Sequence, residues 1–302
     1  MNKNELVSIL LPTYNRANLL PQCIDSILAQ SYPNWELIIS DDASSDDTLA
    51  ISQQYTEINP RIRYNKNFSR FGLPANRNVA ISLSLGKIIF FIEDDLVVEK
   101  DCLKILVDTF EELVNSGENV GAIAPKLLLK NKDRFTKGPL SLDYKMTKNN
   151  YACIFDKKTG LMYRNFDIST DKIQEVPDVH ACSLYLKDAL QKVGGYEENA
   201  YKGNYTCEEV DLNFRIRKIG FKLYFQPKAV VYHYKAELGG VRLSSAYLTN
   251  YYMVRNHIIF IIRNFGIKSF YMVPSFLFHF ADLIIKYYTS KMLSPQSQKE
   301  GV

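Results

Sequence analysis

Short apolar segments alternate with amphipathic segments through the first hundred residues of this chain. The segments VSILLP, WELIIS and KIIFFI are almost continuously apolar, which is typical of strands buried on both faces of a parallel sheet. Between them, apolar residues recur at spacings of three and four, as on one face of a helix. This alternation predicts an open, doubly wound α/β sheet with flanking helices.

The residues that suggest chemistry follow the predicted strands. The segment Pro12 to Arg16 follows the first strand, Asp41-Asp42 ends the second, and Glu93-Asp94-Asp95 follows the fourth. In open α/β sheets, ligands bind beyond the carboxyl ends of the strands. Three separate segments are therefore predicted to meet in one crevice.

The acidic triplet at Glu93 to Asp95 is unusual because three adjacent carboxylates repel one another and raise one another's pKa. A bound Mg²⁺ or Mn²⁺ ion with a diphosphate would remove that repulsion, since hard cations take carboxylate and phosphate oxygens. In an extended segment, Glu93 and Asp95 would face the same side and clamp the metal. A solvated turn that caps the next helix is the alternative.

Weaker patterns describe the second half of the chain. Residues 126–174, rich in Lys, Asn, Asp and Tyr, are interpreted as a substrate-facing insertion with a hairpin turn at DKKTGLMY. The segment CEEVDLNFRIRKIG predicts a helix that ends at Gly220. Its apolar stripe is Leu212, Ile216 and Ile219. A strand-rich segment then ends near His233.

Three segments in this order resemble a family 2 glycosyltransferase with the GT-A fold. They are VSILLPTYNRANLLPQCIDSILAQSYPNWELIISDDASSDDT, NRNVAISLSLGKIIFFIEDD, and GGY followed by EEVDLNFRIRKIGFKLYFQPKAVVYH. The resemblance covers about Val7 to His233. It implies a Rossmann-like mixed sheet, a nucleotide-diphospho-sugar donor, Mn²⁺ or Mg²⁺, and inversion at the anomeric carbon. The acceptor would be a glycan or a lipid-linked saccharide, as in cell-surface polysaccharide biosynthesis.

The resemblance also assigns residues to the donor site. Those matched to nucleotide-sugar binding are Pro12, Thr13, Tyr14, Arg16, Asp41, Asp42, Arg77 and Asp94. Asp41 matches the acid that hydrogen-bonds the base, Asp42 the neighbour that shapes the turn, and Arg77 a basic residue facing the phosphates. Glu93 to Asp95 match the DxD motif, with Asp95 as the metal ligand and Glu in place of the first Asp.

Glu208 and Glu209 match the acidic pair that contains the catalytic base, and Glu209 takes the position of the base. The family has Asp there, so this carboxylate reaches one methylene further. Its implied role is to take the proton of the acceptor hydroxyl during attack on the sugar. As the alternative, acids simply favour the first turn of a helix. Asp211 would then be structural and pair with Arg215, four residues on.

Two further residues have alternative assignments. His233 matches a position where some relatives place a His on the metal or diphosphate, or it is structural. The segment Glu237–Arg242 contains two glycines and is interpreted as a lid that brings Arg242 to the diphosphate on closing. An ordinary surface loop is the alternative.

The chain divides into a GT-A catalytic domain, residues 1–240, and a C-terminal helical extension, residues 241–302. Within the first, residues 1–115 are predicted to bind the nucleotide-sugar and residues 116–240 the acceptor. The extension is aromatic, apolar and basic, with seven Lys or Arg against two acids. It lacks a clean apolar run of about 20 residues. Its helices are interpreted either as lying in a membrane interface or as a cap or dimer contact.

The net charge and the sequence motifs argue against several other functional classes. The net charge is only +4, and no aromatic-basic motif favours nucleic-acid binding. Five scattered cysteines and an N-terminus without a signal-like segment predict a cytoplasmic protein, at most peripheral at the membrane. A sugar-phosphate nucleotidyltransferase should show a Gly-rich phosphate loop, which is lacking here. A catalytically silent nucleotide-sugar-binding protein stays the main alternative.

Overall fold

The computed structural model describes residues 4–130, 150–234 and 245–292, which form one large mixed sheet with helices packed around it. The strands are β1 Val7–Thr13, β2 Trp35–Asp41, β3 Ile62–Lys66, β4 Ile88–Phe91, β5 Leu96–Val98, β6 Val120–Leu129, β7 Cys153–Phe155, β8 Met162–Arg164, β9 Gln174–Val176, β10 Leu184–Leu186 and β11 Lys222–His233. The helices are α1 Leu20–Leu28, α2 Thr48–Ile58, α3 Leu73–Leu83, α4 Cys102–Asn115, α5 Lys187–Lys192, α6 Glu208–Lys218, α7 Ala246–Phe265 and α8 Ser269–Met292.

The strand order of the sheet is β3-β2-β1-β4-β10-β6-β11-β5, with β9 beside β11. The first four strands are parallel, and β10 runs antiparallel to both β4 and β6. Since β11 is parallel to β6, its carboxyl end lies at the same edge as the ends of β1, β2 and β4. The doubly wound mixed sheet and the β7–β8 hairpin predicted from the sequence are confirmed.

The two faces of β1 explain its continuous apolar sequence. Ile9 and Leu11 share one buried cluster with Ile24 of α1. Leu10, which points to the opposite face, belongs to a second cluster with Ala80 of α3. Because a strand alternates its side chains between faces, covering both faces with helices requires apolar residues at every position.

Helix α6 matches the predicted segment except at its end. Leu212 and Ile216 are fully buried, as expected, but Ile219 is 46% exposed. The helix ends at Lys218, so the apolar stripe stops one turn early. At the other end, Cys207 precedes the helix with φ of +73°, in the left-handed region.

Polar contacts join α7 to α6 and to the loop before it. Asn256 donates a hydrogen bond to the Lys202 carbonyl oxygen at 2.9 Å. Asn264 donates to Oδ1 of Asp211 at 2.8 Å. The other oxygen of Asp211 pairs with Arg215 at 2.8 Å, which confirms the predicted i,i+4 pair. The helix α7 therefore supports the turn that begins α6.

Apolar contacts complete the attachment of the C-terminal helices. Met272 and Phe276 of α8 are 1% and 2% exposed and share a cluster with Phe214 of α6. Among the described residues, no helix is long and apolar enough to cross a membrane. The predicted division of the chain into functional halves and an extension stays a prediction.

Replacing Phe276 with Ala should lower the free energy of unfolding by about 3 kcal/mol, the lower end for a buried Phe. Phe278, two residues on, is 81% exposed, so Phe278→Ala is the matched control. Its effect should be below about 0.5 kcal/mol. Guanidinium unfolding of both variants measures the difference, and equal effects would contradict the described packing of α8.

Candidate active site

A cleft opens where β1, β2, β4 and β11 reach the carboxyl edge of the sheet. It encloses a cavity of about 200 Å³ and is open to solvent. The predicted site residues among its lining are Pro12, Thr13, Tyr14, Arg16, Asp42, Glu93, Asp94, Asp95 and His233. Residues from four separate strand ends thus meet in one place.

The acids after β4 form a tight turn and not the extended segment expected from the sequence. The backbone N–H of Leu96 donates to the carbonyl oxygen of Glu93 at 3.1 Å, a three-residue step that reverses the chain. The three carboxylates consequently have different partners. Asp94 contacts Arg16, whereas Glu93 contacts Arg77.

Arg16 supplies the positive charge on the β1 side of the turn. Its Nη1 atom lies 2.6 Å from Oδ1 of Asp94 and 3.3 Å from Oδ2 of Asp95. Thr13 donates its hydroxyl to the other oxygen of Asp94 at 2.9 Å. Burial raises the pKa of Asp94 to about 6, although the Arg16 guanidinium opposes the rise. Asp95 turns its Oδ1 toward Nε2 of His233, 3.4 Å away.

Asp41 and Asp42, at the end of β2, organise the neighbouring loops. Asp41 is fully buried and accepts the hydroxyl of Tyr64 at 2.6 Å. Asp42 accepts the backbone N–H groups of Phe71 and Gly72 at 2.8 and 2.9 Å. Asp42 therefore fixes the loop before α3. The assignment of Asp41 to the nucleotide base stays a prediction.

Arg70 lies at the rim of the cleft, although no sequence pattern had indicated it. The central carbon of its guanidinium is 4.1 Å from the centre of the Tyr14 ring, within cation–π range. Both residues line the cleft. A single basic residue in a loop carries no periodicity, so only the fold connects it to Tyr14.

Arg77 lies beneath the cleft, with 1% of its side chain exposed. Its Nη1 atom is 2.5 Å from Oε1 of Glu208 and 3.8 Å from Oε1 of Glu209. Its Nη2 atom is 3.0 Å from Oε1 of Glu93. One buried cation thus joins the acid turn after β4 to the first turn of α6. The predicted contact of Arg77 with a phosphate stays a prediction.

A second arginine, Arg164 of β8, lies on the other side of Glu209. Its Nη2 atom is 3.7 Å from Oε2 of Glu209 and 2.6 Å from Oδ2 of Asp178. The Glu209 side chain is 20% exposed, against 4% for Glu208. Burial raises the pKa of both glutamates; Arg77 opposes the rise at Glu208, and Arg164 at Glu209. The sequence had not indicated Arg164.

Two expectations lack a structural counterpart. Arg242 and its segment, Glu237–Arg242, lie outside the described residues. Within residues 4–130, 150–234 and 245–292, no three His, Cys, Asp or Glu side chains form a ready cluster for a metal ion. The protein ligands suited to a metal at the cleft are the adjacent pair Asp95 and His233.

Comparison with models of protein families identifies a match to this chain. The model of "Glycosyl transferase family 2" matches residues 8–194, well over half of the chain. The chain belongs to glycosyl transferase family 2. The matched range runs from β1 past α5 and includes the acid turn. The predicted family and its enzyme class, glycosyltransferase, are therefore confirmed.

Curated relatives match shorter parts of the chain. TuaG of Bacillus subtilis, a glycosyltransferase assigned to teichuronic acid biosynthesis, is 37% identical over 103 residues, which are 34% of this chain and 41% of TuaG. The GalNAc(5)-diNAcBac-PP-undecaprenol beta-1,3-glucosyltransferase of Campylobacter jejuni is 34% identical over 108 residues, 35% of each chain. The chain thus spans well under half the length of these relatives.

Solved structures support the GT-A fold. S. aureus TarS 1-349 in complex with UDP-GlcNAc has a TM-score of 0.61 at 17% identity, covering 97% of this chain and 77% of that one. GalNAc-T7 with UDP, GalNAc and Mn²⁺ has a TM-score of 0.65 at 15% identity, covering 90% and 50%. At these identities the likeness concerns the fold alone.

Replacing Arg77 with Met should destabilise the protein by about 3–5 kcal/mol near neutral pH, because it leaves buried carboxylates without their cation. The loss should grow as pH rises. Below 4.5, the ordinary pKa of a glutamate, Glu208 is protonated in both states. Above it, the unfolded chain ionises freely while the folded variant retains a proton or buries a charge.

Denaturant unfolding over a range of pH values measures this dependence. Lys104→Met is the matched control because Lys104 pairs with Asp108 on the exposed surface, and it should change stability little at any pH. An Arg77→Met penalty that is small, or that shrinks as pH rises, would contradict the charge network.

Proposed function

We propose that this family 2 enzyme transfers a sugar from a nucleotide-diphospho-sugar to an acceptor hydroxyl, with inversion at the anomeric carbon. The observation that carries the proposal is the Arg77 network. It links the acid turn, which lines the cleft, to Glu209, the candidate base in the first turn of α6. Donor binding and proton removal need neighbouring but distinct sites, and this arrangement supplies both.

The donor site in this proposal is formed by the ends of β1 and β2. Tyr14 offers an aromatic face to the nucleobase. The fully buried Asp41 acts indirectly, because its carboxylate accepts hydrogen bonds from the Tyr64 hydroxyl and the Ser44 backbone N–H. Arg16 and Arg70 supply positive charge at the rim for the diphosphate. The presence of UDP-GlcNAc in the TarS complex and of UDP in the GalNAc-T7 complex supports a uridine-type donor.

A divalent metal fits the residues at the end of β11. Asp95 and His233 place a carboxylate oxygen and an imidazole nitrogen 3.4 Å apart. Mn²⁺ and Mg²⁺ often take only one or two side chains from the protein, with phosphate oxygens completing the shell. When bound, such an ion would stabilise negative charge on the leaving diphosphate. Glu93, held by Arg77, would then act on charge balance and not as a ligand.

The transfer itself is a single displacement. The acceptor oxygen forms a bond to the anomeric carbon as the bond from that carbon to the diphosphate oxygen breaks, and Glu209 takes the hydroxyl proton. Arg164 and Arg77 favour the ionised form of Glu209 and oppose the rise in its pKa that burial causes. Oε2 of Glu208 is buried and lacks a hydrogen-bond partner among the described residues.

The acceptor in this proposal is a glycan or a lipid-linked saccharide. The Campylobacter relative is named for an undecaprenol-linked substrate, which supports the second class. A lipid-linked acceptor would keep the enzyme at the cytoplasmic face of a membrane, in peripheral contact through α7 and α8. A silent nucleotide-sugar-binding protein of the same fold is the competing function.

Donor binding can be tested by thermal stabilisation with UDP-, GDP- and dTDP-sugars, with and without Mn²⁺. A ligand that binds only the folded state raises the melting temperature. One nucleotide class should do so in the presence of Mn²⁺, and Asp95→Asn should abolish the metal-dependent part. Asp108→Asn, on the exposed face of α4, is the control. A shift that is indifferent to Mn²⁺ and to Asp95 would exclude the metal assignment.

Glu209→Gln should lower donor turnover at least about 100-fold, the usual contribution of a general base, and leave donor affinity nearly unchanged. Glu209→Asp, which restores the residue typical of the family, should keep measurable turnover. Because burial raises the pKa of Glu209, wild-type turnover should fall on acidification at a pH above 4.5. Donor binding by a wild type that never turns over would favour the silent binding protein.

A further inference from the structure

Helix α8 has a second apolar face, opposite its buried side, that is largely exposed to solvent. Phe270, Phe278 and Ile285 are 82%, 81% and 64% exposed, and Tyr271 is 52% exposed. Pro274, Leu277 and Ala281 are exposed as well. Their spacings of one, three and four place them on one side of the helix. These seven side chains are referred to as the outer face.

The outer face does not result from a poorly packed helix. The opposite side carries Met272 and Phe276, which are buried against α6 and α7. Polar side chains of α8, such as Ser275 and His279, are only half-exposed. Between Phe270 and Ile285, each side chain described as exposed is apolar. An exposed apolar surface of this kind marks an interaction site more often than chance.

The charged side chains around the outer face are positive over most of the length of that face. No Asp or Glu occurs between Ser245 and Ala281. Lys268 is exposed at the amino-terminal end of the face, and it forms no ion pair with any described residue. The single acid of α8, Asp282, is half-buried. The face therefore offers aromatic and aliphatic groups bordered by positive charge.

We propose that the outer face of α8 binds the surface of a bilayer that contains anionic lipids, with α8 lying in the plane of the interface. The outer face runs from Phe270 to Ile285 and offers a contact about 22 Å long, at 1.5 Å of rise per residue. Phe, Tyr and Ile side chains enter the boundary between headgroups and acyl chains, and Lys268 meets lipid phosphates. The proposal identifies the surface that would make the peripheral membrane contact of the proposed function. It rests on the proposed function only for the biological role of that contact.

A second copy of the chain is a poorer occupant of this face. A two-fold dimer brings the same patch of both chains together. Lys268 would then find no carboxylate on the partner's stretch from Phe270 to Ala281, whereas lipid headgroups supply negative charge. A spanning helix is also unsuitable, since no helix in the described ranges is long and apolar enough.

Co-sedimentation with vesicles tests the proposal without donor, acceptor or turnover, so its failure is separable from failure of the proposed function. The full chain is mixed with vesicles of phosphatidylglycerol and phosphatidylcholine, or of phosphatidylcholine alone. Phe270→Ser with Phe278→Ser should lower binding to the anionic vesicles at least about tenfold. Lys268→Ser should reduce the preference for the anionic vesicles about fivefold.

The matched control replaces two exposed apolar residues elsewhere, Ile58 and Leu85, each 71% exposed, with Ser. It should bind vesicles like the wild type, and all variants should keep the wild-type melting temperature. Absence of vesicle binding by the wild type would overturn the proposal, as would full binding by the Phe270→Ser, Phe278→Ser variant. A wild-type dimer in light scattering that this variant dissociates, without any lipid effect, would assign the face to a second copy.

Discussion

The buried guanidinium of Arg77 is the interaction on which the arrangement of the site depends. Removing a cation from water costs several kcal/mol unless carboxylates surround it closely. Glu93 and Glu208 do so from opposite sides. Because Arg77 belongs to α3, Glu93 follows β4 and Glu208 begins α6, this one charge fixes three elements relative to one another. The acid turn and the start of α6 are therefore held in register by electrostatics as well as by apolar packing.

The pairing of buried carboxylates with arginines also changes the interpretation of the three adjacent acids, Glu93 to Asp95. From the sequence, a metal ion was expected to relieve the repulsion among all three carboxylates. In the structure, Arg16 and Arg77 already balance Asp94 and Glu93. Asp95 shares Arg16 through one oxygen, and its other oxygen faces His233 at the cleft. The protein thus stabilises the acid turn with its own cations, and in the proposed function a metal would bind only where Asp95 meets the diphosphate of a donor.

Local sequence patterns sufficed for β1, β2 and β4 and for the acids at their carboxyl ends, because burial on both faces leaves a continuous apolar run. They failed where contacts join distant segments. Arg77 and Glu208 are 131 residues apart, and Arg164 reaches Glu209 from a short hairpin. Nor does sequence spacing distinguish a turn at Glu93 from an extended strand end, since one hydrogen bond from Leu96 decides it.

The C-terminal helices show why two interpretations of the extension, a helical cap and a membrane contact, are compatible. On its inner side, α7 bonds Asp211 through Asn264, and His257 lies 3.7 Å from the sulfur of Cys207. These contacts support the left-handed residue directly before Glu208 and Glu209, so removing the helices would disturb the candidate base. The outer face of α8 takes no part in that support. A ligand could therefore occupy it without distorting α6, which would let one helical pair both support the candidate base and bind a surface.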